Sequence, residues 1–153
     1  MSHDAPQVPW LGPIERHPIL SDLAGAMDRG GMLRAEGRAG SSSVIALAAL
    51  HGRSESSHLL VTAHLDEADE AASLLEGLGV DVVRFPALDV LPGESSVRPD
   101  LLADRMLVVR SLLDSTSSTC HVIVAPVHAL MQALPDDEDI QASCRVLRPG
   151  EQL

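Results

Sequence analysis

The segment Met32-Leu-Arg-Ala-Glu-Gly37-Arg-Ala-Gly40-Ser-Ser-Ser43-Val44 places a glycine-containing loop before an apolar stretch. In an open α/β sheet, the loop after the first strand is where phosphates bind. A phosphate-cradling loop of the GxxxxGK[ST] type needs a second glycine, a lysine for the β/γ oxygens and a hydroxyl for magnesium. Counted from Gly37, those three positions hold Ser42, Ser43 and Val44. Ser42 carries a Cβ where the backbone would wrap the phosphates, Ser43 cannot neutralise them, and Val44 cannot ligate a metal. No shift of register repairs the loop, because all 11 basic residues are arginine and the chain contains no lysine. Arg38 lies in the wrong half of the loop to substitute. Two readings stay open: a turn whose serines 41–43 cap a helix, or a weak anion site at Gly37–Ser43 built from free helix amides.

Other catalytic templates fail on residue type or spacing. GxSxG is absent, and the serine-rich stretches 41–43 and 54–57 have no local partner base. The stretch His121–His128 ends without the Asp-Glu pair a motor needs for metal and water. None of the seven histidines forms HxxxH or HExxH, so no metal site is expected. His58, His64, His121 and His128 border strands and loops and read as surface or capping residues. The cluster Asp66, Glu67, Asp69 and Glu70 reads as a solvated first helical turn rather than a catalytic carboxylate pair. Cys120 and Cys144 stand alone, as reduced thiols of a cytoplasmic protein would.

The elements that must hold these residues follow from composition and period. The chain has 153 residues, 45% of them apolar, enough for one buried core. Its longest uninterrupted apolar run, Val44–Leu50, is far short of a membrane span. No secretory signal opens the sequence. A net charge of -11 disfavours gripping nucleic acid by bulk charge, and two aromatic residues, Trp10 and Phe85, cannot build a base-stacking platform.

Four prolines in residues 1–19 suggest an extended arm anchored by Trp10 and Leu11. Leu20, Leu23, Ala24 and Met27 have helical spacing, stopped at Gly30-Gly31. Residues 32–36 form a short candidate strand, and Val44–Leu50 a helix. Residues 58–63 are a strand, 66–79 a helix with an acidic start and a glycine stop, and 80–86 a strand. Residues 87–99 connect to a helix capped by Asp100, with Leu101, Met106, Val109, Leu112 and Leu113 on its buried side. Residues 121–126 are an apolar strand and 127–134 a short helix. Strands alternate with helices, and the strands at 58–63 and 121–125 are apolar on both faces. This is the signature of a doubly wound α/β domain over 20–135 with a mostly parallel sheet. Residues 136–153 read as an acidic break and a strand leading into a following domain.

Two blocks carry a resemblance. Val83-Arg-Phe85-Pro86-Ala-Leu-Asp89-Val-Leu91-Pro92, followed by Pro99-Asp100-Leu-Leu-Ala-Asp-Arg105-Met106, resembles the "FPxx-[ED]-x-LP … P-[DE]-x-x-x-x-R-[LM]" block of bacterial transcription-repair coupling factors (Mfd). The stretch from Ile123 to Pro135, with Leu130-Met131-Gln132, resembles the apolar strand and V-x-A-L-[ML]-Q-x-x-P segment that follows it in that family. The resemblance covers residues 20–153 in order. It implies a UvrB-like first domain, a RecA-type helicase lobe with a degenerate P-loop and no nucleotide binding, hence no cofactor.

The resemblance implies that the chain is the leading piece of a larger ATP-driven DNA translocase. That parent displaces stalled RNA polymerase and recruits UvrA in transcription-coupled nucleotide excision repair. The chain itself would be a non-catalytic scaffold packing against the parent's other domains. UvrA would be met mainly through the domain that follows, and RNA polymerase and DNA only through the parent. UvrB inserts a DNA-gripping hairpin in the corresponding region. Here only Gly93–Arg98 joins Pro92 to Pro99, so a DNA clamp is not expected. Arg105 is expected to make a structural ion pair with Asp89 or Asp100.

Overall fold

A computed structural model describes residues 9, 11–30, 32, 34, 36, 40–53, 56–88, 98–113, 121–136 and 138–140. Its elements run α1 (Leu11–Glu15), α2 (Pro18–Asp28), α3 (Ser41–His51), β1 (His58–Thr62), α4 (Leu65–Gly77), β2 (Val82–Arg84), α5 (Pro99–Leu113), β3 (Val122–Pro126) and α6 (Val127–Leu130).

The three strands pair in parallel in the order β1-β3-β2. β3 is central and every residue of it is buried, which is why its sequence is an unbroken apolar run. Alternate side chains leave it in opposite directions. Val122 and Val124 join Val44 and Ala48 of α3 and Ala68, Ala72 and Leu75 of α4. Ile123 and Ala125 join Phe85, Val108 of α5 and Ala129 of α6. The chain steps from β1 over β3 to β2, then back to β3. Right-handed crossovers place those two connections on opposite faces, and α4 and α5 lie there. The protein is thus a mixed α/β fold whose central strand is covered by helices on both sides; β1, expected to be buried on both faces, leaves Leu59 and Val61 exposed on one of them.

The local signals explain the boundaries. α4 ends in a Schellman turn: Val80 N–H donates to Leu75 O and Gly79 N–H to Glu76 O, both at 3.0 Å. The turn requires a left-handed residue, and Gly79 supplies it at φ 79°. α3 is apolar on all sides because it is sandwiched. One flank meets the sheet and α4, and the other packs Ala49 and Leu50 against Leu11 and Leu20.

Several expectations need correction. Residues 11–15 are helical and packed rather than extended. Leu11 and Ile14 bury against α3, and Pro13 sits in the first turn, where a missing N–H costs nothing. Pro18 opens α2 for the same reason, with His17 Nδ1 accepting from Ile19 N–H. Trp10, the proposed anchor, lies outside the described residues. Met32, Arg34 and Glu36 are not in a strand; Met32 is 98% exposed, and Arg34 pairs with Glu36 in solvent. These alternate residues present no apolar face to bury. The serines do not occupy the N-cap of α3. Gly40 does, so Ser41–Ser43 fall inside the first turn. Asp100 likewise lies within the first turn of α5. α5 buries Arg105 and Val108, while Leu112 and Leu113 face solvent. α6 stops at Leu130, short of residue 134. The acidic break holds a helical turn, where Asp136 Oδ1 accepts from Asp139 N–H and the turn seats buried Ile140. Cys120, Cys144 and the strand expected near 144–153 lie outside the described residues. Among those described, no helix is long and apolar enough to cross a membrane.

Candidate functional site

The start of α3, where the sequence invites comparison with a phosphate-binding loop, lines a cavity of about 460 Å³ together with the end of β1 and α4. Gly40, Ser41, Ser43 and Val44 form one wall. Gly40 adopts φ 105°, and its carbonyl takes the Ser43 hydroxyl proton at 2.7 Å and the Ser43 N–H at 3.1 Å. Ser42 is exposed, and Val44 is buried in the core under α4. Gly37 and Arg38 lie outside the described residues.

The opposite wall carries Glu67 and Glu70. Glu67 Oε2 accepts from Ala63 N–H at 3.1 Å and His64 N–H at 3.3 Å, so this carboxylate already uses the amides that precede α4. Its position in an acidic first turn predicts a merely solvated Glu67. The signal that identifies it is its place three residues after His64, the N-cap of α4. Carboxylates lining a cavity disfavour a phosphate within it. A pair of like unit charges 4 Å apart costs roughly 1 kcal/mol in water and about 4 near a protein surface. Glu67→Ala should cost about 1 kcal/mol in urea denaturation by freeing those two amides. Glu67→Gln, which keeps an acceptor oxygen, should lose less.

The residues that carry the resemblance behave differently. Phe85, Pro86, Arg105 and Gln132 come from three separated parts of the chain and meet at one point. Arg105 is 1% exposed. Its guanidinium lies over the Phe85 ring, 4.4 Å from the centroid. Nη1 donates to Pro86 O at 2.8 Å, Ala129 O at 3.1 Å and Gln132 Oε1 at 3.4 Å. Gln132 in turn grips the backbone of Leu88, accepting from its N–H at 2.8 Å and donating to its carbonyl at 2.9 Å. One arginine and one glutamine therefore tie the chain leaving β2 to α5 and to the end of α6.

Arg105 Nε and Nη2 are buried without a hydrogen-bond partner. Burial lowers the affinity of this guanidinium for its proton, yet an arginine remains charged at neutral pH. The expected ion pair with Asp100 does not form. Five residues apart on one helix, the two side chains point about 140° from each other. Asp100 binds Arg98 instead, and that hydrogen bond holds its carboxyl below the usual aspartate range. Backbone carbonyls, which no side-chain pattern announces, accept from Arg105 where Asp100 does not, and the other expected partner, Asp89, is outside the described residues. Leu130 and Met131 are not in the clamp; Met131 is 81% exposed. Asp89, Leu91 and Pro92 lie outside the described residues.

At the other end of the sheet, His51 Nδ1 lies 3.2 Å from His58 Nδ1, with the rings edge-to-face. His121 Nδ1 is 3.1 Å from Asp81 Oδ2. Burial first, then His58 and His121, push the His51 imidazole below its ordinary value, against a smaller opposing pull from Asp81. The folded chain then binds fewer protons here than the unfolded one. The stability this group confers is complete above about pH 6.5 and is lost as the pH falls through the folded value. The urea midpoint should drop between about pH 7.5 and pH 5, and His51→Asn should flatten that step.

No protein-family model matches the sequence, and no curated protein matches it.

Proposed function

We propose that the chain is a non-catalytic scaffold and interaction domain of the bacterial transcription-repair coupling factor type. Its α/β body corresponds, in this reading, to a RecA-type lobe that has given up nucleotide chemistry. The observation that carries the reading is the make-up of the cavity at the start of α3. Ser43 and Val44 stand where a motor needs a lysine and a metal-binding hydroxyl, and Glu67 and Glu70 line the same cavity. Neutral hydroxyls leave the charge of a triphosphate uncompensated and carboxylates repel it, and the same carboxylates disfavour a regulatory anion site at this loop.

The clamp adds support. The four family-motif residues Phe85, Pro86, Arg105 and Gln132 spend their polar groups on the chain's own backbone and ring, which is work for a rigid body rather than a reaction centre. Rigidity is what a domain needs to position neighbours. ATP-driven translocation, displacement of stalled RNA polymerase and recruitment of UvrA then belong to the parent protein, and this chain contributes by holding other domains in place.

A chimera tests the proposal. This chain should replace the corresponding N-terminal segment of a transcription-repair coupling factor and preserve polymerase displacement and UvrA recruitment. A chimera that behaves like a deletion of that segment would overturn it.

A further inference from the structure

Beside the clamp, a groove of about 380 Å³ opens at the carboxyl ends of β2 and β3, between the start of α4 and the middle of α5. Its floor is apolar and fixed, built from Phe85 and Val108, both buried. Phe85 is held from behind by the Arg105 guanidinium. At the mouth stand two large side chains that the fold leaves uncovered, Leu65 at 48% and Leu107 at 64% exposure. Apolar side chains gathered around an apolar hollow mark an interaction site more often than isolated exposed leucines do.

The rim is acidic. Asp69 and Asp104 border the groove, and Asp104 has no ion-pair partner among the described residues. Arg84, the one cation among the described rim residues, is already engaged by Glu76 at 2.9 Å and Asp69 at 3.4 Å. With Asp69 and Asp104 against an Arg84 that is already paired, the described rim is negative, on a chain of net charge -11. A second copy would bring Asp69 and Asp104 against their own equivalents across a two-fold axis, so like charges oppose self-association here.

We propose that this groove docks a segment of a partner protein that presents one bulky apolar side chain flanked by arginine or lysine. The apolar side chain fills the hollow over Phe85 between Leu65 and Leu107. The flanking cations meet Asp69 and Asp104. The inference builds on the reading of the chain as an interaction domain and names the surface that does the binding.

The test is selection of a phage-displayed library of random dodecapeptides on the full chain, followed by fluorescence anisotropy with the selected peptides. The selected peptides should share an apolar residue bracketed by basic ones, and their binding should weaken as salt rises. Leu107→Asp should weaken it about tenfold or more. Asp104→Lys should slow association and remove much of the salt dependence. Both residues are exposed, so circular dichroism should show both variants folded. Peptides that bind but ignore both substitutions would overturn the groove while leaving an interaction domain. Selected peptides without basic residues, or self-association abolished by Leu107→Asp, would also overturn it. If no peptide is selected and the chain instead binds Mg·ATP, the interaction reading itself falls along with the groove.

Discussion

Arg105→Ala should destabilise the protein by about 3 kcal/mol, a large part of the total for a domain this size. Opposing terms set that figure. The wild-type chain buries a guanidinium with two unpartnered N–H groups, an unfavourable arrangement that the substitution removes. Against this, alanine strands the Pro86 carbonyl, costing about 1–3 kcal/mol once it lacks a donor, and leaves the Ala129 carbonyl only the backbone amides that follow α6. It also removes the cation over Phe85, an interaction of about 2 kcal/mol when desolvated, and leaves a hole beside the ring. The losses exceed the gain. Arg105→Met, which refills the space but cannot donate, should fall between wild type and alanine. Equilibrium urea denaturation reads both. A loss under about 1 kcal/mol for alanine would mean that the clamp is incidental to the fold.

Leu75→Ala tests the other face of the sheet and should cost about 3 kcal/mol. Leu75 is fully buried among Val122, Val124, Ala71 and Ala72, where α4 lies on β3. Its neighbours are small and already in contact, so the site cannot collapse to fill the void. Leu75 O also accepts the Val80 N–H of the Schellman turn, which the substitution leaves intact. The effect is therefore one of packing. Because Leu75 and Arg105 lie on opposite sides of the sheet, the two losses should add in the double variant.

The strongest sequence signals were those where local chemistry and burial agree. The run at 122–126 is apolar on both faces and became the covered central strand. The helix over 65–77 has acids at its start and Gly79 past its end, matching its dipole and its turn. Residues 11–15 were obscured because prolines at 9, 13 and 18 suggest an extended chain. Their helix exists because Leu11 and Ile14 find α3, a contact no local pattern reveals. The phase of α5 is only half legible for a related reason. Val109 packs against the core as its spacing predicts, whereas Leu112 and Leu113 face solvent and the buried stripe passes through a charged residue, Arg105, whose acceptors are main-chain carbonyls. The resemblance brought Phe85, Pro86, Arg105 and Gln132 to notice without indicating why they belong together. Their shared geometry supplies a physical reason. Glu67 was passed over because its two partners are backbone amides.

The most direct measurement of the central claim is isothermal titration of the chain with Mg·ATP. The carboxylate-lined cavity at the start of α3 should give no binding heat at millimolar nucleotide. Micromolar binding accompanied by hydrolysis, and abolished by substitutions at Ser41 or Ser43, would contradict the account.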